Sequence, residues 1–172
     1  MVEIKKLSLD CRNDSSSHDY GVLADACAVS DCKASAGDTE VLEFISQFYN
    51  KFTGDEDSLR MQFRAGYCWH FAHMLKATFD RGEVCWAAPF GHFVWCDTDG
   101  TPYDVEGLYC GEASCFVPES YMGNALLDFK HIPGKGFNAS ISDLESILNR
   151  YLFPKRASLV KDEYGCLTVM ID

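Results

Sequence analysis

Cys68 opens a helix-forming run, Cys68-Trp-His-Phe-Ala72, immediately after Gly66-Tyr67. The first turn of a helix carries the positive end of the macrodipole, which favours thiolate over thiol. A neighbouring imidazolium adds to that effect, so Cys68 is a candidate nucleophile. The same position also falls on the apolar stripe of the run, where a thiol serves equally well as a small core residue. His92 sits in the uncharged segment Gly91-His-Phe-Val-Trp-Cys96. A histidine inside such a strand is costly unless its ring nitrogens find partners. Two carboxylates follow in Tyr103-Asp-Val-Glu-Gly107, at Asp104 and Glu106. A thiol, an imidazole and a carboxylate are the groups that covalent acyl chemistry needs: a nucleophile, a proton carrier and an orienting anion.

The spacing of the last two can be tested against strand geometry. Asp97-Thr98-Asp99-Gly100 has Asp first and Gly fourth, which suits a type I turn followed by a left-handed glycine in a three-residue hairpin loop. That loop pairs Cys96 with Pro102, Val94 with Asp104 and His92 with Glu106. Directly paired residues share a face, so His92, Asp104 and Glu106 all point the same way. A two-residue loop would put both carboxylates on the opposite face. The turn thus supports a His–carboxylate pair but does not choose the carboxylate. Upstream, Gln62 offers an amide donor that could join the Cys68 backbone N–H in an oxyanion hole.

These residues resemble a known family. Gln62-x5-Cys68-Trp69 repeats the glutamine-to-nucleophile spacing and the Cys-Trp pair of papain-like cysteine peptidases. Gly66-Tyr-Cys-Trp-His-Phe-Ala72, Gly91-His-Phe-Val-Trp95 and Tyr103-Asp-Val105 look still more like the compact transglutaminase-like core, in which a helix-borne Cys precedes a His strand and an Asp strand. The resemblance spans about residues 60 to 107. It implies a papain-like fold with a nucleophile-bearing helix packed on an antiparallel sheet. It also implies Cys68 as nucleophile, His92 as base and Asp104 as the orienting residue. Its implied activity is hydrolysis or acyl transfer at an amide bond, in a peptide, an isopeptide or a glutamine side chain, with no cofactor. The step of 24 positions from Cys68 to His92 is short for that family, so a substrate-binding insertion is missing. The glycines and cysteine that flank the nucleophile in papain itself are absent, and papain specificity does not carry over.

The elements that must hold these residues are readable in outline. Val41, Leu42, Phe44, Ile45, Phe48, Tyr49 and Phe52, after a cap at Asp38-Thr39, have amphipathic helical spacing. Gly54 stops that helix and Asp55-Glu-Asp-Ser58 begins an acidic loop. Tyr67 to Phe79 is a second helix, ended by Gly82. Glu83 to Ala88, Gly91 to Cys96 and Pro102 to Glu106 are strands, and Gly107 to Cys115 reads as loop. A short helix is expected within Pro118 to Phe129, and a longer one over Ser140 to Leu152. Ala157 to Val160 and Cys166 to Ile171 form a closing hairpin. Helices and strands in this order define an α+β fold rather than a βαβ one. Residues 1–37 have no period and read as an arm or flap; 38–172 are the catalytic domain.

The chain has 172 residues, 47% hydrophobic and 13% aromatic, enough for one core. Its 15 Lys and Arg against 26 Asp and Glu leave a net charge of −11, which repels phosphate backbones and anionic lipid. No nucleic acid and no membrane is therefore expected as partner; a peptide or protein substrate is what the resemblance implies. No apolar run reaches the length of about 18 residues that a membrane helix needs. Met1-Val-Glu-Ile-Lys-Lys does not resemble an export signal, so a cytoplasmic location and reduced thiols are expected for the nine cysteines. None form Cys-x-x-Cys, and no metal is expected, although His70 and His73 lie one helical turn apart. Trp69, Trp86 and Trp95 are expected in the core or cleft wall, Cys110 and Cys115 in packing, and His131 in a loop. The competing expectation for the whole chain is a non-catalytic binding or regulatory module that kept the papain-like fold. A deamidase acting on another protein's glutamine would use the same three residues.

Overall fold

A computed structural model describes residues 38–50, 56–64, 66–109, 111, 113–126 and 139–172. The expected arm over 1–37, together with Asp55, Cys110 and His131, lies outside them. Helix α1 spans Asp38–Asn50, α2 Glu56–Arg64 and α3 Cys68–Phe79. Strands β1 (Glu83–Ala88), β2 (His92–Cys96), β3 (Pro102–Asp104), β4 (Gly107–Leu108) and β5 (Cys115–Pro118) follow. Two short 3-10 turns, Glu119–Tyr121 and Gly123–Leu126, lead on from β5. Helix α4 (Ile141–Leu152) precedes the hairpin of β6 (Ala157–Lys161) and β7 (Leu167–Ile171). The fold is α+β, with an antiparallel sheet in the order β4-β3-β2-β1-β5.

Four expectations change. Glu56 to Ser58 are helical, not loop, because α2 puts acids at its start and Arg64 in its last turn, both favoured by the helix dipole. Asp80, not Gly82, closes α3, in a left-handed conformation at φ 50°, with its N–H donating to the Lys76 carbonyl. The third strand stops at Asp104, because Val105 and Glu106 form a tight turn that pairs Asp104 with Gly107. The expected loop 107–115 therefore starts with β4 and ends at β5, whose residues add to the free edge of β1.

The core forms where one face of the sheet meets the helices. Phe71, Ala72 and Leu75 of α3 pack with Trp86, Phe93, Trp95 and Tyr103 of the strands, all nearly inaccessible. Phe48, Phe63 and Phe71 meet edge to face, with centroids 5.1 to 5.7 Å apart, and so tie α1, α2 and α3 together. Phe79 stacks on Trp95 at 5.5 Å. The second apolar cluster, Cys85, Ala87, Val94 and Cys96 with Tyr109 and Phe116, joins the alternate strand positions. The β2–β3 turn has the expected loop: Cys96 pairs with Pro102 and Trp95 with Tyr103, and Gly100 has φ 87°. Arg81 braces it with two bonds to the Asp97 carboxylate, at 2.8 and 2.9 Å.

Candidate active site

Three elements deliver the candidate residues. Cys68 begins α3 and is buried, with Tyr67 at the N-cap. Gly66, at φ 150°, and a backbone bond from Tyr67 N–H to the Gln62 carbonyl (3.2 Å) close the connection from α2. His92 is the first residue of β2, directly after the Pro89-Phe90-Gly91 turn. Asp104 is the last residue of β3. By extension of the observed pairing, Asp104 stands opposite Val94, diagonal to His92.

His92 Nε2 and Asp104 Oδ2 are 3.0 Å apart. Both side chains are mostly shielded from water, His92 16% and Asp104 11% exposed. The second Asp104 oxygen, Oδ1, accepts the Glu106 N–H at 2.8 Å. The Cys68 thiol lies close enough to His92 to act on its titration. With Nε2 committed to Asp104, Nδ1 is the ring nitrogen left for the thiol. Burial pulls the imidazole pKa down, but the hydrogen bond to Asp104 and the nearby Cys68 thiol, reinforced by their charges, outweigh it and push His92 up to about 10. The ring thus stays an imidazolium between a carboxylate and a sulfur.

Of the expected residues, Cys68, His92 and Asp104 come together. Glu106, the alternative carboxylate, does not reach His92. Its side chain turns to α2, where Arg60 Nη1 donates to Oε2 at 3.4 Å and Arg64 Nε stands 3.9 Å from Oε1. Gln62 lies in the last turn of α2 with an exposed side chain and its carbonyl on the N-cap of the nucleophile helix.

Tyr109 was not anticipated from the sequence. Its ring stacks on His92, with centroids 5.3 Å apart and planes 20° off parallel. The signal was Gly107, whose φ of 114° lets the chain reverse after Asp104 and return along β3, so that the Tyr109 ring reaches His92. Its backbone N–H bonds the Pro102 carbonyl at 2.9 Å.

His70 and His73 take other roles. Burial, then the charge of His73, lower the His70 pKa. His73 Nε2 stands 2.9 Å from Glu119 Oε2 without the alignment of a hydrogen bond. Trp69 Nε1 donates to the other Glu119 oxygen at 3.3 Å. Among the described residues, no group of three or more His, Cys, Asp and Glu could hold a metal ion.

Cys68, Cys85, Cys96 and Cys115 are free thiols. Burial alone pushes Cys115 up to about 12. A hydrogen bond with Cys85, then burial, push Cys96 up as well. Cys166 is disulfide-bonded, so the expectation of nine reduced thiols does not hold for it. Among the described residues, no helix is long and apolar enough to cross a membrane.

No family model, no curated protein and no solved structure matches the chain.

Proposed function

We propose that the chain is a cysteine-dependent hydrolase or acyltransferase of amide bonds, built on a papain-like or transglutaminase-like core. The observation that carries this reading is the His92 ring held 3.0 Å from the Asp104 carboxylate, together with a buried thiol at a helix start, Cys68, near enough to raise the pKa of the ring. In this reading the Cys68 thiolate attacks the amide carbon, and the carbonyl π electrons move onto oxygen. The Cys68 backbone N–H, one of the first-turn donors without an intrahelical acceptor, faces the developing oxyanion. Gln62 is the second donor, provided that its exposed amide swings in over the helix start. His92 then gives its Nδ1 proton to the departing amine as the C–N bond breaks, leaving a thioester. Water or a second amine, deprotonated by the now neutral His92, attacks the thioester and expels the thiolate. Asp104 keeps the proton on Nε2 throughout and so fixes which nitrogen faces the sulfur.

The test is a thiol-directed activity probe with an amide-mimicking electrophile, applied to the wild type and to Cys68→Ala. A single modification, mapped by mass spectrometry to Cys68 and absent from both Cys68→Ala and His92→Ala, supports the reading. Labelling spread evenly over several cysteines, with no dependence on His92, overturns it and leaves the non-catalytic binding module as the better account.

A further inference from the structure

Asp104 offers one oxygen to His92 and the other to the N–H of Glu106. That N–H belongs to a two-residue turn held from two sides. Val105 is buried in the core, 1% exposed. Glu106, its neighbour, has its carboxylate between Arg60 and Arg64, which are one turn apart on α2. The same helix holds Gln62 and ends just before the nucleophile. A continuous chain of contacts therefore runs from α2 through Glu106 to Asp104, His92 and Cys68.

We infer that Glu106, clamped by Arg60 and Arg64, is a positioning residue: it holds the Val105–Glu106 turn so that the backbone N–H pins Asp104 Oδ1 and presents Oδ2 to His92. The inference rests on the proposed Cys68–His92–Asp104 reading. Without the clamp the turn keeps its N–H but loses its fixed direction, and the Asp104 carboxylate is free to rotate off the imidazole. The described charged groups stand as follows. Arg60 and Arg64 face Glu106 from α2, His92 faces Asp104 from β2, and Cys68 faces His92 from α3, with the Tyr109 ring over it. The Arg60 and Arg64 side chains are 36% and 26% exposed, so added salt reaches the clamp.

The experiment follows the rate at which iodoacetamide alkylates Cys68 in the full chain as pH varies, read by peptide mass spectrometry. Glu106→Gln is expected to slow Cys68 alkylation about two- to fivefold near pH 5.5, the range a partly exposed ion pair carries. The two proteins should converge above the ordinary thiol range, about pH 8.5. A purely structural role would not produce that pH dependence. Glu106→Asp should restore part of the rate. Arg81→Gln, which loosens the far end of the β2–β3 hairpin, should leave the profile unchanged. In the wild type, about 0.5 M salt should lower the rate near pH 5.5 more than it does in Glu106→Gln.

Identical profiles for the wild type and Glu106→Gln, with Asp104→Asn still slow, overturn the positioning role and leave the triad standing. Unchanged rates in Asp104→Asn and His92→Ala overturn the triad and this inference together. An equal effect of Arg81→Gln also overturns it, since generic loosening of the hairpin then explains the result. If Glu106→Gln loses its near-UV circular dichroism, the salt titration of the wild type decides: a flat response overturns the inference.

Discussion

His92 and Asp104 are 12 positions apart in the chain, and their side chains meet at 3.0 Å. They are not directly opposed across the hairpin. Asp104 lies diagonal to His92, at a separation a ring can bridge to a short carboxylate. The position facing His92 by simple register, Glu106, is carried off when the strand ends at Asp104 and turns. The short side chain therefore takes the partner, and the long one braces the turn.

Cys68 should alkylate ahead of the other free thiols at mildly acidic pH. The imidazolium beside it persists far above the ordinary histidine range, whereas Cys115 and Cys96 are held protonated by burial and, for Cys96, by Cys85. Limited iodoacetamide treatment near pH 6, about where unpaired thiols are protonated, should give a Cys68 adduct before adducts at Cys85, Cys96 or Cys115. His92→Ala should remove the lead. Equal labelling of all four in the wild type would count against an activated thiolate.

The His92 proton gives a pH prediction with a definite sign. An unfolded histidine titrates near 6.5, and His92 in the fold is raised to about 10. Between those values the folded chain binds a proton that the unfolded chain has released. The His92 contribution to stability is thus complete below about 6.5 and is lost as pH rises through about 10. Titration of the His92 ring by NMR should show it still charged near pH 8, where an ordinary histidine is neutral. Asp104→Asn should bring the transition down, and so should Cys68→Ala. A His92 that titrates in the ordinary range in the wild type refutes the arrangement.

Asp104→Asn should separate orientation from folding. Asparagine is nearly the same size and can still accept the Glu106 N–H, so the melting temperature should move little. Asparagine cannot stabilise the imidazolium as a carboxylate does, and labelling by the thiol-directed probe should fall by about 10²–10⁴-fold. Glu106→Gln should cost only a few-fold, because it acts through Asp104. Comparable losses in both variants would mean that Glu106 has a more direct part than its bonds to Arg60 and Arg64 imply.

How far these relationships could be read from residues alone differs from element to element. The β2–β3 turn was readable because Asp97-Thr-Asp-Gly100 specifies its own loop, and the register followed from it. Helices α1, α3 and α4 were readable because their apolar residues recur at helical spacing and Ser140 caps α4 through Asp143. Helix α2 was hidden by its polarity, and with it the placement of Arg60 and Arg64 on one face. The reversal at Val105–Glu106 was hidden because Tyr103-Asp-Val-Glu reads as a continuing strand. Only the partners of those residues, the buried core for Val105 and two arginines for Glu106, show that the chain turns. Tyr109 and β5 were missed for the same reason: their structure comes from pairing with β3 and β1, not from a local pattern.

Gly82 tests whether stability and site geometry are coupled. It joins α3 to β1 at φ 67°, a conformation that a side chain strains. A Cβ there would run into the Cys96 carbonyl and the Trp95 indole, whose N–H donates to the Arg81 carbonyl at 2.9 Å. Both residues belong to β2, the strand that begins with His92. Gly82→Ala should therefore cost about 2–3 kcal/mol from strain and overlap, and it should also slow Cys68 alkylation at acidic pH by displacing β2. Asn149→Ala provides the contrast. Asn149 fastens α4 to β6, donating to the Glu145 and Ala157 carbonyls and accepting the Ala157 N–H at 2.8 to 2.9 Å. Its loss should cost about 1–3 kcal/mol by stranding part-buried backbone groups. Cys68 alkylation should be unaffected, because neither α4 nor β6 carries a site residue. Denaturant melts paired with alkylation rates should show both variants weakened and only Gly82→Ala slowed. If Asn149→Ala slows Cys68 equally, the site depends on global stability, not on the placement of β2.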